Sequence, residues 1–250
     1  MMNSIFRDVM EKWMMVYVDD VIIFSRTAKE HLEHIKEILR RLCKHGLYIK
    51  PKKCKFGEEE IAYLRHIINH EGTCTDPAKI KAVAAYPVPT SITEARAFMG
   101  LTSYYRRFIR RFSHIASPIY DLFRKEVKFQ WTQQQQLAFN ELKTRLTQAP
   151  ILRRPDWTQE FILQMDASAM GLGAVLAQKK NGAEYVVAYL SRGTHRAEQS
   201  YESYKLECLA VIWAIENFHY YLAGRHFTIQ TDHLALTWLL TTSEPKGIYA

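Results

Sequence analysis

The sequence lacks any long apolar run: none of its 250 residues belong to an uncharged apolar stretch of about 18 residues, so no transmembrane helix is predicted. Its N-terminus has Arg7, Asp8, Glu11 and Lys12 among apolar residues and lacks the features of a signal peptide. The 4 cysteines lie far apart and form no CxxC pair, which favours a reduced, intracellular setting. With only 10 Gly and 8 Pro and 48% hydrophobic residues, the composition excludes collagen-like, low-complexity and wholly disordered chains.

The positive charge of the chain is concentrated in its first half. Residues 1–130 hold 23 Lys and Arg against 15 Asp and Glu, whereas residues 131–250 hold 11 of each. A basic half joined to a neutral half is typical of a chain that binds a polyanion such as nucleic acid. A basic surface that serves only solubility is the alternative, and the charge count leaves both open.

Two short apolar runs near the N-terminus predict a tight β-hairpin. Only Asp19 and Asp20 separate residues 14–18 from residues 21–24, so we expect these aspartates to link two strands that are buried on both faces. Adjacent carboxylates against a packed core repel each other unless a cation lies between them, and Mg²⁺ prefers such oxygen ligands. Two interpretations follow, a plain turn and a metal site.

Helix-start signals recur between the hairpin and residue 150. Thr27, the pair Asp76-Pro77, Ser91 and Thr132 occupy positions typical of helix N-termini, and Gly46 is typical of a helix end. We expect residues 77–150 to be mainly helical, and residues 61–68 to form one short strand.

Residues 104–112 interleave aromatic side chains with four arginines, Arg106, Arg107, Arg110 and Arg111. Such a block favours a nucleic-acid surface, in which arginines contact phosphates and aromatic rings contact bases or sugars. The alternative is an amphipathic helix with core aromatics and solvated arginines. We expect a mixture, with the aromatics mostly inward and the arginines toward nucleic acid.

The character of the chain changes near residues 150–156, where we place a domain boundary. The sequence beyond predicts a mixed sheet with an Asn181-Gly182 hairpin turn and a long helix that ends at Gly224. The predicted strands are 160–166, 171–178, 184–191 and 226–231, and the predicted helices are 198–222 and 234–240.

Three acidic residues lie at the ends of these predicted strands or within the predicted long helix. Asp166 and Asp232 each end a predicted strand, and Glu207 lies in an apolar stretch of the long helix, where an acid needs a partner. Three converging carboxylates could hold two Mg²⁺ ions suited to in-line attack on a phosphodiester. Three unrelated acids remain the alternative on spacing alone.

These motifs, in this order, resemble the Pol polyprotein of gypsy-type LTR retrotransposons over about residues 14–247. Residues 17–25 (YVDDVIIFS) resemble the catalytic hairpin of reverse transcriptases. Residues 166–176, 201–210 and 231–233 resemble the three ribonuclease H motifs. The remaining matching segments are HLEH at 31–34, PKKC at 51–54, GLTSYYRRFI at 100–109, FQWT at 129–132 and APIL at 149–152.

The resemblance implies an α+β and α/β chain with three parts. These are the C-terminal part of a polymerase palm (residues 1–75), thumb and connection helices (76–150), and a ribonuclease H-like mixed sheet with helices (151–250). It implies that Asp19 and Asp20 belong to the polymerase metal site. It further implies that the acids of the three ribonuclease H motifs bind the metal ions, Mg²⁺ or Mn²⁺ in its place, for RNA cleavage. Those acids are Asp166, Glu207 and Asp232.

The implied partners are an RNA–DNA hybrid or primer–template duplex and other Pol segments of the element, with no membrane, in the cytoplasm (a virus-like particle) or the nucleus. The residues expected to contact nucleic acid are Lys52, Lys53, Arg106, Arg107, Arg110 and Arg111. The function implied is two-metal RNA-directed DNA synthesis with RNA cleavage, and a non-catalytic hybrid-binding module or an inactive remnant is the alternative.

The sequence also departs from the family pattern. The family has a further palm aspartate upstream of Asp19 and a last ribonuclease H acid beyond Ala250, so we expect weak or absent activity of this chain alone. The family's Leu-Gly-His at the primer grip reads Leu64-Arg65-His66 here. Arginine adds bulk where glycine allows close backbone approach.

Overall fold

The computed structural model of the chain describes residues 2–10, 12–125 and 127–231. The chain divides into two compact units, which meet in the sequence between Tyr63 and Leu64. The elements of the first unit are α1 (Met2–Phe6), β1 (Met14–Tyr17), β2 (Asp20–Ile23), α2 (Ala28–Lys44), a 3-10 turn (Pro51–Lys53) and β3 (Ile61–Tyr63).

The first unit is built around helix α2. Ile38 and Leu42 of this helix pack with Phe6, Val9 and Met14 into a small apolar core. The predicted start and end of the helix are confirmed: the Thr27 side chain accepts a hydrogen bond from the Glu30 backbone N–H at 3.2 Å, and Gly46 follows the helix with φ +65°. The positive φ at Gly46 lets the chain turn away, because glycine has no Cβ to clash.

The predicted hairpin is present, but its turn is shifted by one residue. Tyr17 pairs with Asp20, so the two linking residues are Val18 and Asp19, and Asp20 begins β2. Val18 takes φ +54°, which the two-residue turn requires and which a β-branched residue rarely adopts. The expectation of burial on both faces is wrong, since Tyr17 is 59% and Val18 72% exposed.

The second unit begins with two short strands and four helices and continues into a larger sheet. Its elements are β4 (His66–Ile68), β5 (Gly72–Thr75), α3 (Pro77–Ala84), α4 (Ile92–Ser103), a 3-10 turn (Arg106–Phe108), α5 (Phe112–Asp121), α6 (Gln133–Thr147), β6 (Leu152–Arg153), β7 (Phe161–Ser168), β8 (Gly171–Lys180), β9 (Ala183–Gly193), a 3-10 turn (Glu198–Ser200), α7 (Ser203–Asn217), α8 (His219–Leu222) and β10 (Phe227–Gln230).

The predicted helix starts of this unit are confirmed by their caps. The side chains of Asp76, Ser91 and Thr132 each accept a hydrogen bond from a backbone N–H in the first turn of α3, α4 and α6. Helices α3 to α6 enclose an aromatic core that includes Phe98 and Phe139. The mainly helical character expected for residues 77–150 is thus present in α3 to α6.

Residues 61–68 form two strands rather than the single strand predicted. Leu64 and Arg65 both take positive φ, +47° and +58°, so the chain turns sharply between β3 and β4. Neither side chain is typical of this left-handed region, and that is why the apolar pattern alone did not reveal the turn.

A four-stranded mixed sheet forms the C-terminal part of the second unit, with strand order β10-β7-β8-β9. β7, β8 and β9 are antiparallel neighbours, and β10 runs parallel to β7. Asn181 and Gly182 both have positive φ, as expected for the predicted hairpin turn. Helix α7 packs on one face of the sheet and α5 on the other, which is why residues 171–178 of β8 are buried throughout.

The predicted helix 198–222 is broken into three pieces. Tyr201 and Glu202 are extended, so a 3-10 turn precedes α7, and Phe218 interrupts the helix before α8. Gly224 follows with φ +69°. The predicted helix 234–240 lies outside the described residues. No described helix is both long enough and apolar enough to cross a membrane.

Candidate functional site

Asp166 lies near the C-terminal end of β7. Phe161 and Leu163 of this strand pack under α7 with Ala214. Because side chains alternate along a strand, Asp166 faces the opposite side, toward α5. The register places Asp166 beside Gly173 of β8, and Gly173 beside Ser191 of β9, so the three residues form one row across the sheet.

An arginine from the start of α5 meets the carboxylate of Asp166. Arg111 Nε lies 2.6 Å from Asp166 Oδ2, and the two side chains are 44% and 36% exposed. Arg111 takes φ +58° and precedes α5 without providing a side-chain cap. Asp166 thus has a cationic partner, which demonstrates that this position accommodates positive charge.

Glu207 lies in the second turn of α7 and is half-buried. Its neighbour Leu206 and the next-turn residue Ala210 are buried and face the sheet, and α7 packs on β7, the strand of Asp166. Asp166 and Glu207 therefore lie on two elements that pack together, but the Asp166 side chain is on the face of the sheet away from α7. Among the described residues, no three His, Cys, Asp or Glu side chains come close enough to hold a metal ion, and Asp232 lies outside these residues.

Asp19 and Asp20 are both exposed at the hairpin tip of the first unit. The hydroxyl of Tyr63 donates a hydrogen bond of 3.5 Å to the backbone oxygen of Asp20. This exposure removes the argument that a packed core forces a cation between the carboxylates. A metal role for these residues therefore depends on the family resemblance. Lys52 and Lys53 are exposed in the 3-10 turn of the same unit.

The aromatic residues of the 104–112 block mostly point inward, as predicted. Tyr105, Phe108 and Phe112 are each 1% exposed, although the segment forms a 3-10 turn and the start of α5 rather than one amphipathic helix. The four arginines differ from one another. Arg106 Nη2 donates to the backbone oxygen of Ser191 and its guanidinium lies 5.8 Å from the Phe112 ring centroid.

Arg107 and Arg110 contrast with Arg106 and Arg111. Both are exposed, and neither forms an ion pair with another residue of the described ranges. They are therefore the two exposed arginines of the block that have no carboxylate partner among the described residues.

The sequence reasoning missed the two tyrosines that fix the turn at Leu64 and Arg65. Tyr104 Oη donates to Leu64 O at 2.6 Å, and Tyr105 Oη donates to Arg65 O at 2.7 Å. The Arg65 guanidinium lies 5.5 Å from the Tyr104 ring centroid. The local sequence gives no signal for this turn, because arginine stands where the family motif has the glycine typical of a positive φ.

His66 is packed inside this turn. Its Nδ1 lies 2.7 Å from Leu64 O, and its ring stacks on Phe108 with 5.6 Å between centroids. Burial lowers the pKa of His66 below its usual value. A neutral ring that donates from Nδ1 fits the apolar surroundings, because Nε2 has no hydrogen-bond partner among the described residues.

A cleft of about 420 Å³ opens between α5 and the turn that joins β7 to β8. Its lining includes hydroxyl side chains from α5 and from the residue that follows β9. The residues with hydroxyl side chains in this lining are Ser113, Ser117, Tyr120 and Thr194.

Two family models match the chain. Residues 1–68 match the reverse transcriptase (RNA-dependent DNA polymerase) model, and residues 131–229 match the model of the RNase H-like domain found in reverse transcriptase. The chain therefore combines a reverse transcriptase segment with an RNase H-like domain.

Curated relatives place this combination in retrotransposons. The chain is 40% identical over 245 residues to the retrovirus-related Pol polyprotein from transposon 297 of Drosophila melanogaster, covering 98% of this chain and 23% of that protein. It is 36% identical over 250 residues to the corresponding polyprotein from transposon gypsy of the same species, covering 95% and 24%. The chain belongs to the gypsy-type retrotransposon Pol polyproteins and spans about a quarter of the length of these relatives.

Solved structures show the same fold at low identity. The foamy viral protease-reverse transcriptase in complex with RNA/DNA hybrid is 20% identical, with a TM-score of 0.78 over 91% of this chain and 31% of that chain. The dRH form of that protein, in complex with ds DNA, is 19% identical, with a TM-score of 0.83 over 96% of this chain and 42% of that chain. The predicted fold class is confirmed.

Proposed function

We propose that this chain binds an RNA–DNA hybrid or primer–template duplex and that its RNase H-like part cleaves the RNA strand of the hybrid with divalent metal ions. The observation that carries the proposal is the match of residues 131–229 to the RNase H-like model, because Asp166 itself faces α5 on the side of the sheet away from α7 and Glu207. Both acids lie within the segment that matches the RNase H-like model. The net positive charge of residues 1–130 and the duplex-bound structural neighbours support the choice of partner.

The residues that would hold the metal are Asp166 and Glu207, with Asp232 as the third acid of the family motif. In the structure the carboxylate of Asp166 binds Arg111 at 2.6 Å and faces away from α7, so the described residues by themselves do not form the metal site. A divalent ion, Mg²⁺ or Mn²⁺, would supply Lewis-acid chemistry and activate a bound water for attack on a phosphodiester. In this proposal the acidic side chains of the ribonuclease H motifs hold the metal ion. The exposed guanidinium groups of Arg107 and Arg110 hold the nucleic-acid backbone.

The division of the chain into palm, thumb and connection, and RNase H parts at residues 75 and 150 is part of the same proposal. In it, Asp19 and Asp20 contribute to the metal site for DNA synthesis together with other Pol segments of the element. Exposure of both carboxylates at the hairpin tip is consistent with ligands that face a nucleotide or an ion.

The test of the proposal is cleavage of an RNA–DNA hybrid by the purified chain with Mg²⁺. Asp166→Asn is the control, because the amide keeps the shape of the side chain and loses its charge. Mg²⁺-dependent cleavage that Asp166→Asn abolishes supports the enzyme.

A non-catalytic hybrid-binding module is the second candidate, and the pairing of Arg111 with Asp166 favours it. Hybrid binding with a steep salt dependence, together with no cleavage by the unchanged chain or by Asp166→Asn, would support the non-catalytic module. Absence of both binding and cleavage would contradict both candidates.

A further inference from the structure

A basic loop with exposed aromatic rings follows helix α2 in the first unit. It consists of residues 48–56 (YIKPKKCKF) and is called the lysine loop below. Two aromatic side chains stand at its ends, with four lysines and no acidic residue between them. Tyr48 is 96% and Phe56 53% exposed, and every residue between them is exposed except the partly buried Cys54. The loop therefore offers both ring faces and positive charge to a partner.

The lysines of the loop have no carboxylate partners. The described lysines that form ion pairs are Lys36 and Lys205, which lie outside the loop. Three glutamates follow at residues 58–60, but Gly57, with φ +68°, turns the chain between them and the lysines. Within the described part of the chain, no ion pair neutralises the positive charge of the loop. The four lysines are Lys50, Lys52, Lys53 and Lys55.

Backbone hydrogen bonds give the loop a defined shape. Leu47, just before it, packs against the small apolar core of the first unit. The Lys53 N–H donates to Lys50 O at 2.8 Å. The next donor along the chain, the Cys54 N–H, bonds to Pro51 O at 3.0 Å, and the proline ring fixes its own φ. A partner therefore binds a loop that is already shaped, which reduces the entropic cost of binding.

Unpaired lysines beside open ring faces fit a single strand of nucleic acid. The lysines attract phosphates, and their binding releases the counterions of the strand. The rings of Tyr48 and Phe56 can stack on bases, and an unpaired strand can splay its bases onto such rings, whereas a duplex keeps them stacked on one another. Neither kind of contact reads the 2′-hydroxyl, so RNA and DNA strands should bind alike.

A protein surface and a membrane surface fit the loop less well. Lysine is depleted at the centre of protein–protein interfaces, so a run of unpaired lysines argues against a protein partner. A membrane surface is typically bound by an amphipathic helix with its apolar side chains on one face. Here Lys50 and Cys54 are extended and flank a single 3-10 turn, so the loop has no such face.

We propose that the lysine loop is a binding site for single-stranded nucleic acid, in addition to the duplex binding proposed above. Tyr48 and Phe56 stack on bases, and the lysines between them hold the phosphates of the same strand. The site lies in the first unit alone and requires neither metal ions nor the acids of the ribonuclease H motifs. Lys52 and Lys53, which the sequence predicts to contact nucleic acid, thereby acquire a specific form of that partner.

Fluorescence anisotropy tests the stacking on the whole chain. The probe is a labelled oligo(dT) of about 12 nucleotides, within the site sizes of about 4–16 nucleotides that are typical of single-strand binding. Tyr48→Ala should weaken binding about 5-fold or more, whereas Tyr48→Phe keeps the ring and should stay within about 2-fold of the unchanged protein. Tyr220→Ala is the matched control and should leave binding unchanged. Tyr220 is 68% exposed, but it lies in a stretch without lysine, residues 206–231.

The salt dependence of the same binding tests the lysines. Joint replacement of Lys52 and Lys53 by alanine should lower the slope of log affinity against log salt by about 1.4 units, because each phosphate contact on a single strand contributes about 0.7. Joint replacement of Lys179 and Lys180, an exposed pair at the end of β8, is the matched control and should leave the slope unchanged. Oligo(rU) of the same length should give the same ranking of variants.

Several results would overturn the inference. No binding of either oligonucleotide, or equal affinities of Tyr48→Ala and the unchanged protein, would remove the site. An equal loss for a blunt-ended RNA–DNA hybrid in Tyr48→Ala would assign the ring to duplex binding instead. Binding to phosphatidylserine vesicles without oligonucleotide binding would identify a membrane surface. Each of these results leaves the proposed cleavage of the hybrid to its own test with Asp166→Asn.

Discussion

Ser191 of β9 caps helix α5 by accepting a hydrogen bond from the backbone N–H of Ser113 at 3.1 Å. The two hydroxyl groups also lie 3.3 Å apart, and both residues are buried. A helix start normally finds its cap in the preceding residue, but Arg111 provides none here. The cap comes from the sheet, so the interaction that starts the helix also docks it.

Ser191→Ala should therefore destabilise the second unit. The substitution leaves a buried backbone N–H of Ser113 without its acceptor, a loss of about 1–3 kcal/mol in the free energy of unfolding. Urea unfolding measures this change. Ser200→Ala, which removes an exposed hydroxyl that donates to Ala197 O at 2.9 Å, is the control and should change stability by less than about 0.5 kcal/mol. Equal effects of the two substitutions would contradict the capping role.

Gly171 and Gly173 of β8 should respond oppositely to alanine. A Cβ at Gly171 would lie 2.8 Å from the backbone oxygen of Arg192, whereas the nearest atoms to a Cβ at Gly173 lie at 3.7 Å. We expect Gly171→Ala to lower the free energy of unfolding by about 1–3 kcal/mol through overpacking. Gly173→Ala should leave it unchanged or raise it by up to about 1 kcal/mol, as glycine is unfavourable in a strand. Thermal unfolding of the two variants side by side gives the comparison, and equal losses would refute it.

Arg65 should tolerate glycine better than alanine. Its φ of +58° costs any residue with a Cβ about 1 kcal/mol, and both substitutions remove the same contact with Tyr104. We therefore expect Arg65→Gly to be about 1 kcal/mol more stable than Arg65→Ala in urea unfolding. A more stable alanine variant would argue against strain at this turn.

Arg107 and Arg110 should each contribute one phosphate contact. Replacement of either by alanine is expected to weaken hybrid binding and to reduce the slope of log affinity against log salt by about one unit. Fluorescence anisotropy at several salt concentrations measures the slope. Arg124→Ala, which removes an exposed arginine paired with Asp121 at 2.8 Å, is the control. An unchanged slope would remove the substituted arginine from the interface.

Glu198 should make stability depend on acid pH. Its hydrogen bonds with Arg192 hold the pKa of this carboxyl at about 2, below the ordinary value of 4.5. The unfolded chain therefore binds the proton more readily, so the stabilisation is complete above about pH 4.5 and is lost as the pH falls toward 2. Unfolding of Glu198→Gln at several pH values should show a shallower decline in this range. Glu202→Gln, at an exposed acid 3.8 Å from Lys205, should keep the steeper decline of the unchanged protein.

Local signals predicted the secondary structure well where they act alone. Thr27, Asp76 and Thr132 are the caps that their side chains suggested, and Asn181 and Gly182 form the predicted turn. The predictions were wrong where backbone conformation depends on packing. The sharp turn at Leu64 and Arg65 exists because two tyrosine hydroxyls forty residues away hold its carbonyl groups, and no local pattern reports that.

The amino-acid sequence by itself determined the order of elements, the family and the acids that could bind metal, because caps, apolar periodicity and motif spacing are properties of short stretches of chain. Only the tertiary structure decided what each charged side chain contacts. The register of three strands brings Ser191, Gly173 and Asp166 into one row, and a helix docked on that row delivers Arg111 to the carboxylate. A contact between residues 55 positions apart depends on how elements pack, and packing is a property of the whole unit.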